Sequence, residues 1–408
     1  MNPLVTLDKL DWAEFAELYW DRHPVLIRGV RPVPFRADEV FSAALRARCA
    51  EGGGRIAPNA SVTVEQTVQA DRDGLLPAES DGCFDGYERR VGDRLDGRKY
   101  ALIISAFHAF DFPLWDRERR FFAGLWDEVG LPLTSAITTL FHGNYDHSPV
   151  GVHKDRFATF MFGLRERKRM RLWTERPWTE QVGSVVDYER FLPSSFAVEV
   201  EPGDLLYWPA SYFHVGENCG RTPATSVNIG VPRTEHRVSY ELEDLLADSD
   251  PARLLDDGGR LAVLADGIDA PMRQEAGEVL PSTVPPALAQ ALTAHAKSLT
   301  DRVEMVSLRR WTAGGLEPVP PPEPFRPLAD GQIVELAQGA DLAQYRGALA
   351  ANGHLITADL PPEALQLLSS GRSVRVDAAN RPALEQLLAC RALRSAGGGA
   401  AGVEGAAY

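Results

Sequence analysis

The sequence predicts a mainly β fold with helices, an antiparallel barrel or sandwich followed by a helical region and a small α/β unit. Three observations predict it. From about 135 to 233 short apolar runs rich in β-branched and aromatic residues follow one another, separated by turn residues, the spacing of antiparallel barrels and sandwiches. After about 236 the pattern changes to amphipathic helix. A Gly- and Pro-rich stretch, "TAGGLEPVPPPEPFRPL", then sets off a last unit of alternating helix and strand. We expect a domain over 1–235, a helical region over 236–312, a linker over 313–330, a small α/β domain over 331–395 and a disordered tail over 396–408.

The elements follow in chain order. In "DWAEFAELYW" residues Trp12, Phe15, Ala16 and Tyr19 recur at helical spacing. "HPVLIRG" reads as a buried strand closed by Gly29, and "FRADEVFSAALRARCA" as a second helix. Residues 55–110 mix short apolar runs with Gly, Asp and Pro, which suits β structure and loops. "FFAGLWDEVGLP" reads as a helix ended by Gly130 and Pro132. The strands expected next are "SAITTLFHG", "GVHKDRFATFMFGL", "KRMRLW", "SFAVEVEPGDLLYWP" and "ATSVNIGVP". "SYELEDLLADSDPARLL" and "PPALAQALTAHAKSLTDRVEMVSLRRW" read as amphipathic helices, which serve either a dimer interface or packing within the chain. The final unit, starting at "ALAANGHLITADLPPEALQ", reads as helix, strand, helix, strand and helix, a winged-helix-like rhythm. "PPPEP" reads as a stiff spacer, or as a polyproline segment for a partner.

Composition narrows the function. The 408 residues are 44% hydrophobic and 25% charged, as in globular proteins. The net charge of -14 argues against a nucleic-acid binder. Cys49, Cys83, Cys219 and Cys390 form no CxxC pair and no zinc pattern, as expected of reduced thiols in a cytoplasmic protein. "MNPLVTLDKLDWAEF" has neither a basic nor an apolar signal-peptide region, and no apolar run is long enough for a bilayer. Heavy use of Ala, Gly and Arg suggests a bacterial source.

The chemistry lies in "VHKDRF". On a strand, side chains two apart share a face, so His153 and Asp155 point the same way. Such a pair is either a surface pair or two ligands of one metal. His214, in "PGDLLYWPASYFHVGEN", is the candidate third ligand. Two His and a carboxylate make the facial triad of non-haem Fe(II) oxygenases, which leaves open positions on the metal. A structural zinc site fills all four positions with protein ligands. On the next strand, alternation puts Lys168, Met170 and Leu172 on the inner face and Arg167, Arg169, Arg171 and Trp173 on the other. A buried ammonium needs an anion, supplied by a protein carboxylate or by a bound ligand. In "ATSVNIGVP", Ser226 and Asn228 face opposite to Val227 and Ile229 and are free to bond a ligand. His142 and His147, shortly before the pair, are candidates to line an entrance. His23, His108, His236, His295 and His354 show no ligand spacing.

These residues resemble the JmjC/cupin-like family of Fe(II)- and 2-oxoglutarate-dependent oxygenases. The likeness rests on His153, Asp155, Lys168 in its Lys-Arg pair, "PGDLLYWP" and His214, and covers residues 10–235 with the opening "YWDRHPVLIRGV". The later layout is similar to that of ribosomal-protein oxygenases. The resemblance implies a double-stranded β-helix (jelly roll). It implies Fe(II) on His153, Asp155 and His214, and the C5 carboxylate of 2-oxoglutarate on Lys168. Asn228, Thr159 and Ser226 would line the cosubstrate pocket. Glu166 stands where many relatives have glycine. Val150 stands where relatives have Thr or Ser, so Ser148 or Tyr145 would substitute, and Arg169 or Arg171 would replace Lys168 if the register were off by one.

The implied reaction is hydroxylation of a C–H bond by O2 with 2-oxoglutarate as cosubstrate. The expected substrate is a side chain of a protein or peptide, a natural-product precursor included, with no nucleic acid or membrane partner. The alternatives are a free amino acid or small molecule, a metal-binding cupin without oxygenase activity, and a non-enzymatic binding protein.

Overall fold

Strand β12 (Ala224–Pro232) is the spine of the larger sheet. It pairs antiparallel with β6 (Ile137–Gly143) on one side and with β7 (Phe157–Arg165) on the other. The nine strands run β1-β2-β10-β7-β12-β6-β5-β3-β4. Here β1 is Val5–Leu7, β2 Val25–Ile27, β3 Asn59–Val64, β4 Thr67–Val68, β5 Tyr100–Ser105 and β10 Leu205–Trp208. A smaller sheet has the order β11-β8-β9, with β8 at Lys168–Trp173, β9 at Phe196–Val200 and β11 at Phe213–Asn218. The structure is a computed structural model that describes residues 3–48, 59–72, 74–132, 134–233, 273–275, 278–280 and 286–396. The expected helix at 239–255, Cys49, His236 and residues 397–408 of the tail lie outside the described residues.

The central strands are apolar on both faces because both faces are covered. On β7, Phe160 and Phe162 enter the main core, while Phe157, Thr159 and Met161 face the smaller sheet and the cavity. On β10, Leu205 and Tyr207 face the main core, and Leu206 and Trp208 point inward. The outer face is covered by α1 (Trp12–Leu18), capped by Asp11, and by α4 (Phe112–Val129), capped by Asp111. Phe160 meets Phe15, Trp12, Trp20, Phe122 and Tyr207 at ring-centroid distances of 4.8–6.0 Å.

Several elements differ from expectation. The α4 helix begins nine residues before "FFAGLWDEVGLP", because Asp111 caps it and Pro113 occupies its first turn. A helix, α3 (Phe84–Leu95), stands where β structure and loops were expected; α2 (Ala37–Ala47) is as expected. Gly86 and Gly92 hide α3 from a propensity reading. Gly86 is needed there, since a Cβ would lie 1.9 Å from the Asp81 carbonyl oxygen. Asn59–Val64 and Tyr100–Ser105 are the strands of that region.

The chain forms two units, Met1–His236 with Arg309–Tyr408, and Arg237–Leu308. The second includes a hairpin of β13 (Arg273–Glu275) and β14 (Glu278–Leu280) and most of α5 (Pro286–Thr312). In the first unit the Gly/Pro-rich stretch packs rather than dangles. Ala313 and Leu316 join the main core, and Trp115 Nε1 donates to the Leu316 carbonyl at 3.0 Å. The C-terminal part has its own core around Val334, Leu368, Leu384 and Leu387. Its first expected helix, "ALAANG", is instead β17 (Ala348–Ala351), in a three-stranded meander with β16 (Leu342–Tyr345) and β18 (His354–Ile356). Then come α6 (Pro362–Ser369), β19 (Val374–Arg375), α7 (Arg381–Ala389) and β20 (Leu393–Ser395), with β19 and β20 flanking β15 (Ile333–Leu336). Buried Arg119 of α4 bonds Asp116 and pairs with Asp341, tying this part to the main core.

Phe160→Ala removes the ring at the centre of this aromatic cluster. We expect a loss of about 3–5 kcal/mol in chemical denaturation, with a smaller effect from Phe160→Leu.

Candidate metal centre

His153 and Asp155 precede β7 rather than lie on it, which corrects the expected strand. Residues 152 and 153 form isolated bridges, and the chain bends before Phe157. His153 is held by a reciprocal pair with His214 on β11: His153 N donates to His214 O at 3.1 Å, and His214 N donates to His153 O at 2.8 Å. The two rings lie 4.5 Å apart. His153 Nε2 is 3.6 Å from Asp155 Oδ1, and His214 Nε2 is 3.5 Å from Asp155 Oδ2. All three offer a ligand atom within 4.8 Å of one another.

The donor set fits a metal ion. The Nδ1 of His153 faces the Gly151 carbonyl at 3.0 Å, so Nε2 is left to point at Asp155. Burial, and then neighbouring His153, push the His214 pKa down to about 4. The ring is therefore neutral at physiological pH, the form that ligates. Two imidazoles and one carboxylate suit Fe(II) and leave coordination positions open.

The three residues open onto a cavity of about 340 Å³ between the two sheets, also lined by Lys168, Thr159, Asn228 and Trp208. Trp208 packs beside His214, with ring centroids 5.1 Å apart. Lys168 is 3% exposed. Its ammonium donates to Ser226 Oγ at 2.9 Å and lies over the Phe141 and Tyr145 rings at 5.0 and 5.6 Å. Among the described residues no carboxylate pairs with it. Ser226 Oγ in turn lies 3.3 Å from Asn228 Oδ1. The expected register of β8 is the one found: Lys168, Met170 and Leu172 are buried, while Arg169 and Arg171 face outward to Glu199 and Glu217.

Thus His153, Asp155, His214, Lys168, Thr159 and Asn228 all meet at one cavity, with Ser226 behind Lys168. Ser148 and Tyr145 line it too. Thr139 and Ser105 also line it, their hydroxyls 3.4 Å apart, and were not expected. Alternation along "ITTLFHG" offered a signal, since it puts Thr139 on the face of Ile137 and Phe141. His142 and His147 do not line the cavity. His142 points to the opposite face of β6, stacked on Phe84 at 4.8 Å and bonded to Thr225 Oγ1 at 2.9 Å. His147 bonds the Ser148 carbonyl and packs on Tyr188. His108 is buried beside Glu118 at 3.0 Å.

Two facing, mainly antiparallel sheets with an inward His-x-Asp and a distal His define a cupin-like fold with a candidate metal site. Residues 128–236 match the JmjC domain family, and the chain therefore carries a JmjC domain. A curated relative is the ribosomal protein uL16 3-hydroxylase of Escherichia coli (strain K12), 23% identical over 386 residues, which are 88% of this chain and 89% of that protein. The fold is similar to that of YcfD, a ribosomal oxygenase from Escherichia coli. Its complex with cobalt and 2-oxoglutarate gives a TM-score of 0.50 at 19% identity, covering 95% of this chain and 99% of that one. Its complex with cobalt and succinic acid gives 0.50 at 21%, with the same coverage.

Burial first, then the Arg165 and Lys168 cations, push the His142 pKa down to about 3. The unfolded chain then binds a proton there that the folded chain does not, between the ordinary histidine value and about pH 3. Stability should therefore fall as pH drops through this window, by up to about 1.4 kcal/mol per pH unit for this group. His142→Phe should flatten that slope in denaturant titrations compared with wild type.

Proposed function

We propose that this chain is an Fe(II)- and 2-oxoglutarate-dependent oxygenase that hydroxylates a C–H bond on an amino-acid side chain of a protein or peptide. One observation carries the reading. A three-ligand metal set shares a cavity with a buried ammonium that has no carboxylate partner among the described residues. A buried charge without an ion partner is costly, so the site is built for an external anion. The comparison supports the reading, since the E. coli relative is a ribosomal protein hydroxylase with structures holding cobalt and 2-oxoglutarate or succinate.

His153, Asp155 and His214 would hold Fe(II) from one side, which supplies the redox chemistry for dioxygen when bound. Lys168 would take the distal carboxylate of 2-oxoglutarate, with Ser226 fixing the ammonium. Asn228 and Thr159 supply polar groups along the same wall, and Trp208 and Met170 keep water from the deep part of the cavity. Overall, 2-oxoglutarate, O2 and R–H become succinate, CO2 and R–OH, one oxygen atom entering each organic product. A cupin without oxygenase chemistry would have no use for the unpaired Lys168.

Catalysis is assigned to residues 1–235, and the α/β part over 331–395 is read as winged-helix-like with a non-catalytic role. The helical region over 236–312 is read as a homodimer contact. No described helix is long and apolar enough to cross a membrane, and a cytoplasmic place suits a ribosomal or peptide substrate.

Anaerobic Fe(II) and 2-oxoglutarate should give the weak visible charge-transfer band of an iron–2-oxo acid chelate. The band should be lost in His153→Ala. In Lys168→Ala its half-saturation should move to about a hundredfold higher 2-oxoglutarate or more. Bound metal with no band at saturating 2-oxoglutarate would overturn the proposal.

A further inference from the structure

The cavity also bears on which side chain enters it, an inference that rests on the oxygenase reading. Four of its lining residues bear charge-forming groups of the His, Lys or carboxyl type. His153, Asp155 and His214 converge on the metal position, and Lys168 lies buried along β8. Among the described residues no second carboxylate lines it. The remaining walls are largely apolar, with Ile103, Ile137, Val150, Phe157 and Trp208 among them. An arginine or lysine side chain entering this space would lose its hydration and find no free counter-charge, because Asp155 is committed to the metal.

The rim repeats the pattern. Val150, Val182 and Val186 are 47%, 46% and 48% exposed. They sit on adjoining segments, since Val152 and Val185 exchange backbone hydrogen bonds of 2.8 and 3.0 Å. Gly151, at φ +73°, makes the approach tight enough that a Cβ there would lie 2.3 Å from the Val185 carbonyl oxygen. Val150 lines the cavity, and Val186, followed by the exposed Asp187, lies on the segment paired with the neighbouring Val152. Clustered exposed apolar residues at a cavity mouth mark a binding surface.

We infer that the residue oxidised by this chain is uncharged and aliphatic or aromatic, presented in an apolar stretch of polypeptide. An aliphatic or benzylic C–H bond is then replaced by C–OH, with O2 and 2-oxoglutarate consumed and succinate and CO2 released.

The test uses the full chain loaded with Fe(II) and 2-oxoglutarate, and acetylated heptapeptide pools with a fixed central residue and randomised flanks. One pool set has Leu, Ile, Val or Phe at the centre, another Arg or Lys, and a third Asp or Glu. Mass spectrometry reads the gain of one oxygen atom. We expect the apolar set to be oxidised at least about tenfold more than either charged set. Oxidation of Arg or Lys pools to the same extent or more overturns the inference, as does no oxidation of any pool while the iron–2-oxoglutarate band is intact. Loss of that band in wild type instead strikes the oxygenase reading itself. Val150→Asp places a carboxylate on the rim and should shift the product ratio towards the cationic pools. An unchanged ratio in a variant that still oxidises apolar pools also overturns it.

Discussion

The site depends on two backbone hydrogen bonds, the reciprocal pair between His153 and His214. Sixty residues separate these histidines in sequence; His214 is placed by the pairing of β11 with β8, whereas His153 precedes β7 and is placed by the bridge. The bridge fixes both backbones at one level, so that both imidazoles face the Asp155 carboxylate. The carbonyl of Gly151 then takes one nitrogen of His153 and leaves the other for a metal. Ligand geometry here is thus a property of main-chain pairing, and the side chains have little rotamer freedom left to lose.

Around that bridge the protein separates two kinds of environment by sheet face. The outer face of the larger sheet is filled by rings from α1 and α4. The space between the two sheets holds a few polar groups among apolar ones, Thr159, Ser226 and Asn228 from the larger sheet and Lys168 from the smaller. Charged residues of β8 alternate accordingly. Arg169 and Arg171 meet Glu199 and Glu217, whereas Lys168 has no protein anion among the described residues. The strand therefore satisfies its outward cations internally and reserves its inward one.

The part of the site that follows from strand alternation was legible in the sequence. Lys168 could be assigned to the inner face because a one-residue slip would have buried two arginines, and Ser226 and Asn228 because they alternate with Val227 and Ile229. His153, Asp155 and His214 were legible as a set through their chemistry, although His153 proves to be an isolated bridge residue and Asp155 an irregular one before β7. What local pattern could not show was which face of β6 was inner: His142 and Phe141 are adjacent, and only the packing of α3 shows that His142 turns away from the cavity. That helix was itself hidden by Gly86, whose role is close contact with Asp81. In the C-terminal part, alanine-rich "ALAANG" has helical propensity, but pairing with Leu342–Tyr345 and His354–Ile356 overrides it. Glu166 sits at φ +52° in the β7–β8 turn, a left-handed conformation that glycine adopts without strain.

The place of β12 has a consequence for how the molecule is made. The strands that flank it, β6 and β7, are complete about sixty residues before its first residue, yet they are not paired with each other in the sheet. A ribosome delivering the chain from its amino end thus releases both neighbours, with apolar faces and open edges, before the strand that joins them. His214 arrives shortly before β12, so the metal set and the sheet's closing strand emerge together. The three candidate ligands are thus all present only shortly before the strand that joins β6 to β7.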